Sequence, residues 1–403
     1  LTKNLTVEEA RRRMLAAATP GPPKAVTLDH HATGRVLAEP IRAVRDQPPF
    51  DASAMDGWAI LMGDPGAEGS YRIVGESAAG KGFDGDVGAG EAVRIFTGAP
   101  VPAGCTVVIQ EQAERRGQAV HIADPLSDVR ANVRPRGGDF RAGDALLEPG
   151  MRLDAWRLAL AASAGRGQAL VYPRPRVAIL TTGEELVEPG FGEPTPSQIF
   201  ESNTPALASL IAGWGGTPIR LAPAHDDEDA IAASVADLDA ELIVTVGGAS
   251  VGDYDLVKPA LRRLGLTLEV ETIALRPGKP TWFGRLSDGR WVLGLPGNPA
   301  SGLVAAELFL RPLLNAWQGA DAALNLEPAR LASPLPQTGP REHWMRAALA
   351  VSAEGQLVVT PFPDQDSSLV TVFARANALL RRPAGAAPLA AGDLVETLRL
   401  DRL

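Results

Sequence analysis

The chain carries one cysteine, Cys105, among 403 residues. An intrachain disulfide is therefore impossible, and a reducing compartment is the simpler fit. Histidine is scarce too, with five scattered copies, so the usual ligands of a zinc site are missing. Positive charge is short: 39 Lys and Arg stand against 48 Asp and Glu, a net charge of −9. A nucleic-acid surface wants a basic patch, so nucleic acid is not an expected partner. No apolar run reaches membrane-spanning length. The opening stretch LTKNLTVEEARRRMLAAA lacks the basic start and apolar centre of a signal peptide. It predicts an amphipathic helix capped by Thr6, with Glu9 three residues later. There is no internal repeat or low-complexity tract. These absences lead to the expectation of a soluble cytoplasmic protein, without membrane or nucleic-acid partners.

What is present is apolar residue, at 45%, and much glycine and proline, 42 and 34 copies. A chain this long exceeds one ordinary core, so two to four domains are expected. From about Gln47 to Glu148 short runs such as YRIVGES, EAVRIFTG and CTVVIQE predict a β-rich domain with many turns. EPGMRLDAWRLALAASAG predicts a helix ending at a glycine. From Pro173 strands and helices alternate, beginning RVAILTTG, TPALASLIAGWGG, TPIRLAPA and DDEDAIAASVADLD. They continue as ELIVTVGG, DLVKPALRRLG, LTLEVETIAL and WVLGLPGNPASGLVAAELFLRPLLNAW. That alternation predicts a doubly wound, mostly parallel sheet covered on both faces. After Asp321 a hairpin, HWMRAALAVSAEGQLVVTPF, and a last strand, AGDLVETLRL, predict a small β domain.

Four loops stand out after the strands: TTGEELVEPG, GGASVGDYD, RPGKPTWFG and GLPGNPASG. In a doubly wound sheet such loops converge at the carboxyl ends of the strands. Gly247, Gly248 and Gly252 allow close backbone approach to a ligand, and Ser250 adds a hydroxyl. Asp253 and Asp255 either cap the following helix or hold Mg²⁺. Ser301 and the PGNPAS amides either face an anion or form a rigid connector. Arg276 and Lys279 are either a preorganised oxyanion clamp or solvated cations. Glu184 and Glu185 either ligate a metal or serve as a base, or make a solvated acidic turn. Taken jointly, the loops point to an anionic, phosphorylated substrate with a divalent metal. In the β-rich region, PPFDASAMDGWAI and FTGAPVPAG place Asp51, Ser53, Asp56 and Thr97 in turns.

In this order, PPFDASAMDGWA, FTGAPVPAG, RPRGGDFRAGD, TTGEELVEPG, SNTPAL, GGASVGDYDLVKP, RPGKPTWFG and LPGNPASGLV run through almost the whole chain. The set resembles the molybdopterin molybdenumtransferase family. The resemblance implies a multidomain α/β plus β architecture. Residues 1–20 with 174–320 would form a central α/β domain of molybdopterin-binding fold. Residues 21–45 with 141–173 would form an elongated linking domain, 46–140 a β-rich lobe, and 321–403 a C-terminal β-barrel. It implies a homodimer whose site lies between the α/β domain of one subunit and the β lobe of the other. The implied reaction is Mg²⁺-dependent insertion of molybdenum from molybdate into adenylylated molybdopterin, with release of AMP. Asp56, Thr97, Glu185, Asp226, Asp255 and Lys279 match catalytic positions, with Asp227 the alternative to Asp226 in HDDED. Asp255 and Glu185 match metal ligands. Gly247, Gly248, Ser250, Gly252, Arg276, Pro296, Gly297, Pro299 and Ser301 match the substrate and molybdate loops.

Many members carry lysine where this chain has Arg276, which keeps the charge but exchanges a point for a planar fork. Ala249 stands where valine is frequent, a packing difference. Transient contacts with the adenylylating enzyme and with molybdoenzyme chaperones are implied as well. Two other functions remain open at this point: adenylylation of molybdopterin, and a non-catalytic scaffold of the gephyrin type. Molybdate and tungstate are not told apart by these residues.

Overall fold

The structure, a computed structural model, describes residues 2–124, 130–247 and 256–400. Its centre is a six-stranded sheet. The strands are β1 (Arg176–Thr181), β2 (Thr217–Arg220), β3 (Leu242–Val246), β4 (Thr267–Val270), β5 (Trp282–Arg285) and β6 (Trp291–Leu295). The order is β2-β1-β3-β6-β5-β4; the first four are mutually parallel, and β5 runs antiparallel to both neighbours. The helices are α1 (Val7–Ala16), α2 (Asn203–Gly213), α3 (Glu228–Ala236), α4 (Val257–Arg263), α5 (Pro299–Ala305) and α6 (Arg311–Trp317).

Strand side chains alternate between faces, and the core divides accordingly. Val177, Ile179, Leu242 and Val244 pack with α1, α2 and the helical run after β6. Ala178, Leu180 and Ile243 pack with α3 and α4. Each Val, Ile or Leu fully buried this way contributes about 1.5–3 kcal/mol. A central domain sandwiched between two helical layers is the doubly wound arrangement the alternation predicts.

One local expectation, the Thr6 cap, holds, and two need correction. Thr6 Oγ accepts the Glu9 N–H at 3.1 Å, but the Glu9 carboxylate does not reach back to complete the reciprocal box. It pairs instead with Arg12 and Arg13, each at 2.7 Å, which holds its pKa down at about 2. The long helix after β6 is interrupted by a π turn over Ala306–Leu310. Pro312 lacks the N–H that would bond the Leu308 carbonyl, and the helix widens just before it. LTLEVETIAL is two strands: β4 stays in the central sheet, while Leu275–Arg276 pairs in parallel with Glu342–His343 of the C-terminal domain.

Residues 326–399 form a closed barrel. Strand Glu342–Val351 pairs with Leu357–Pro361, then Leu326–Leu331, Leu394–Arg399 and Ala378–Arg382 follow, and Ala378–Arg382 returns to Glu342–Val351. Leu331, Ala347, Val359 and Leu380 fill its interior. The barrel is also fused to the α/β core: Trp344, Leu379 and Leu398 share one hydrophobic cluster with β3 and β6. A third core joins Leu37 and Ile41 to Phe140, Leu147, Leu153 and Ala161, so segments on either side of the lobe pack as one body. The lobe itself is a six-stranded mixed sheet with Ala59, Val93 and Val107 on one face and Trp58, Ala92 and Val108 on the other. Among the described residues, no helix is long and apolar enough to cross a membrane.

Candidate functional site

In the order β2-β1-β3, the strand following β1 lies on one side of it and the next on the other. The chain therefore diverges from the carboxyl ends of β1 and β3, the switch point where open α/β sheets bind ligands. Thr182–Glu185 leave β1 there, and Gly247 leaves β3.

Backbone approaches bring the loops to one rim. Gly247 has φ +94°, and a Cβ on it would lie 2.9 Å from the Thr182 carbonyl oxygen. Only glycine takes that conformation at that distance without strain. A Cβ on Gly297 would lie 3.4 Å from the Gly247 Cα, so the LPGNPAS loop rests on the start of GGASVGDYD. A Cβ on Gly278 would lie 3.7 Å from the Ser301 carbonyl oxygen, which places RPGKP beside α5. The Gly278 carbonyl accepts the Thr281 hydroxyl at 2.8 Å, fixing the turn between Arg276 and Lys279. RPGKP reaches the rim by mounting on a barrel strand.

The LPGNPAS loop is held from two sides. Asn203 Nδ2 donates to the Gly297 carbonyl at 2.8 Å, and Asn298 Nδ2 donates to Ser367 Oγ at 2.9 Å. The Ala300 N–H donates to the Ser367 carbonyl at 3.0 Å. Behind Ser367, the fully buried Arg346 donates to the Asp366 and Leu369 carbonyls at 2.9 and 3.1 Å. Pro299 opens α5 after Asn298, Ser301 is buried in the first turn, and the Pro296 carbonyl oxygen would lie 3.0 Å from a Cβ on Gly302.

Charge at the rim is unpaired. Arg276 and Lys279 are exposed and form no ion pair among the described residues. Arg276 faces His343, whose burial and neighbouring Arg276, Arg341, Arg382 and Arg346 push its pKa down to about 4. Glu185 is exposed and curls over Gly183, where a Cβ would lie 2.5 Å from Oε2. Asp226 follows β2, next to the Thr182–Ala224 bridge that ties this segment to the β1 loop. Its neighbour Asp227 is spent as the cap of α3, its Oδ1 accepting the Ala230 N–H at 2.9 Å. Among the described residues, that leaves Asp226 the carboxylate of the pair without a hydrogen bond or ion pair. Among the described residues no three His, Cys, Asp or Glu side chains group as a metal site.

Asp56 and Thr97 meet on the lobe. The Thr97 N–H and hydroxyl both donate to Asp56 Oδ1, at 2.8 and 2.7 Å. These bonds, with Arg94 nearby, hold the Asp56 carboxyl below the usual aspartate range. Their bonds stay within the lobe and do not reach the rim. Gly248, Ser250, Gly252, Asp253 and Asp255 lie outside the described residues. Asn203, Asn298 and Ser367 were not singled out from the sequence, although SNTPAL lies among the quoted motifs. The available signal was an asparagine in the first turn of a helix entering the rim.

A glycine-lined rim at the switch point of a doubly wound sheet, seated on a closed β-barrel, defines a multidomain α/β protein with a ligand site at the carboxyl ends of its strands. Residues 178–316 match the family model described as probable molybdopterin binding domain. Residues 5–165 match the MoeA N-terminal region (domain I and II), and 328–400 the MoeA C-terminal region (domain IV). A Haemophilus influenzae protein named molybdopterin molybdenumtransferase is 33% identical over 407 residues, covering 97% of each chain. One of the same name from Bacillus subtilis is 31% identical over 413 residues, covering 98% of this chain and 94% of its own. The crystal structure of the molybdopterin biosynthesis MoeA protein from Pyrococcus horikosii superposes with a TM-score of 0.82, at 30% identity and covering 100% of both chains. The chain belongs to the molybdopterin molybdenumtransferase family, and its place is in molybdenum cofactor biosynthesis.

Proposed function

We propose that the protein inserts molybdenum from molybdate into adenylylated molybdopterin, with Mg²⁺-dependent cleavage that releases AMP. The observation that carries this reading is the meeting of Thr182, Gly247, Gly297 and the Gly278–Ser301 approach at one switch point. Closely approaching backbone and two unpaired cations suit an oxyanion. Arg276 would grip it with a planar fork, Lys279 with a point charge, and Ser301 would orient it from the first turn of α5.

The donor chemistry at the rim fits Mg²⁺. This ion takes one or two carboxylates and fills its shell with water and phosphate oxygens. Glu185, in no ion pair among the described residues, would hold it with Asp255. When bound, the ion neutralises charge developing on the phosphate.

Asp56 and Thr97 serve the same reaction from the partner subunit of a homodimer. In support, the Asp56 carboxylate is preset as an anion by Thr97 yet contacts nothing on its own rim. Contacts with the adenylylating enzyme and with molybdoenzyme chaperones in the cytoplasm would be transient.

The test is AMP release from adenylylated molybdopterin, with and without molybdate and Mg²⁺. Release that needs both is expected. Tight binding without release would replace this reading with a scaffold role. Formation of the adenylylated substrate from ATP would replace it with adenylylation.

A further inference from the structure

Glu201 is a buried carboxylate, 4% exposed, that pairs with no cation among the described residues. Its Oε1 accepts the N–H groups of Asn203 and Thr204, both at 2.8 Å. These are orphan donors of the first turn of α2. Ser202 occupies the N-cap position but makes no side-chain cap bond. The glutamate therefore caps the helix from one residue further back, where a negative charge is favoured.

This has a consequence for Asn203. Its backbone N–H is already satisfied, so its side chain is released from capping. Asn203 is 8% exposed, and its Nδ2 is committed to the Gly297 carbonyl at 2.8 Å, across 94 residues of sequence. Gly297 in turn rests on Gly247. Glu201 also belongs to the β1 loop, because its N–H donates to the Val187 carbonyl and the Ile199 N–H donates to the Glu185 backbone carbonyl. One short segment thus links the loop carrying Glu185 to the loop carrying Ser301.

We propose that Glu201 and Asn203 are a positioning pair that holds the LPGNPAS loop against Gly247 and so sets the oxyanion geometry of the rim. The kinetic consequence rests on the function proposed above; the clamp itself does not. Neither residue need touch substrate. The donor character of Asn203 is essential, because an aspartate would set two acceptors face to face. The charge of Glu201 is dispensable, because a glutamine still offers an acceptor to both N–H groups.

Two measurements on the full chain test this. The first is amide hydrogen exchange at residues 300 and 302, whose N–H groups donate to the Ser367 and Asn298 carbonyls, both at 3.0 Å. It should rise roughly tenfold in Asn203→Ala and in the isosteric Asn203→Asp, the scale of one lost hydrogen bond. In Glu201→Gln it should stay at the wild-type level, while Glu201→Ala resembles the asparagine variants. The second is steady-state AMP release, where the molybdate KM should rise roughly tenfold with kcat less affected, at temperatures well below the melting transition. A merely structural role would lower the Tm and leave that KM unchanged. Unchanged exchange in both asparagine variants would overturn the clamp. Raised exchange with wild-type KM and kcat would overturn the positioning role. A wild-type protein without molybdate-dependent turnover would sink the functional reading, while exchange would still decide the clamp.

Discussion

Thr97 gives both of its donors to one oxygen of Asp56, at 2.8 and 2.7 Å, and among the described residues Oδ2 accepts no hydrogen bond. An aspartate fixed this way is an oriented acceptor with one open lobe. Asp56→Ala should reduce turnover by about 10²-fold or more, as loss of a positioned acid–base group does, with little change in stability, since the residue lies at the lobe surface. Mixing Asp56→Ala with Glu185→Ala subunits should recover a fraction of wild-type activity through heterodimers carrying one intact site. No recovery after verified subunit exchange would rule out a site shared between subunits.

Gly247→Ala should both destabilise and inactivate. The new Cβ meets the Thr182 carbonyl oxygen at 2.9 Å, with φ at +94°. The cost is about 1–3 kcal/mol, visible as a lower denaturation midpoint. Gly297→Ala, whose Cβ finds 3.4 Å of space, should be milder in stability but still raise the molybdate requirement. Equal stabilities for Gly247→Ala and wild type would refute the close approach.

Arg276→Ala should raise the molybdate KM more than Arg276→Lys, because charge survives in the second variant and only the planar fork is lost. The comparison is read from AMP release at fixed nucleotide substrate. Identical behaviour of both variants and wild type would remove Arg276 from the oxyanion site.

His343 gives a pH signature. Its pKa is depressed from 6.5 to about 4, chiefly by burial and then by Arg276. Between those values the unfolded chain binds the proton that the folded chain refuses, so stability falls as pH drops from 6.5 towards 4. In His343→Asn the difference in Tm between pH 7 and pH 5 should shrink. Asp46, Asp51 and Asp56 act at lower pH, since their folded values lie below the usual aspartate range. What they contribute is present above that range and lost as pH falls through their lowered values. An unaltered Tm difference in the His343 variant would show that the histidine is not buried neutral.

The middle of the sheet was legible because β1 and β3 are near-continuous Val, Ile and Leu runs closed by glycine, whereas β5, Trp282–Arg285, was hidden inside the loop reading RPGKPTWFG. RVAILT and LIVTV announce themselves by composition. Leu275–Arg276 was not legible as a barrel partner, because its pairing with Glu342–His343 spans most of 70 residues and leaves no periodic mark. Asp226 and Asp227 are chemically identical in the text; only the hydrogen bond from Ala230 separates a cap from a free carboxylate. Glu201 escaped attention for a similar reason. A glutamate before a serine suggests that the serine is the cap, and the exchange of roles depends on tertiary burial of the carboxylate.

Trp344, Leu379 and Leu398 of the barrel lie in the same apolar cluster as β3 and β6. No layer of solvated side chains divides the two, so they lack the independence of beads on a string. Heat or denaturant would be felt by sheet and barrel as one cooperative unit, and the loops mounted between them would keep their shape until that unit gives way.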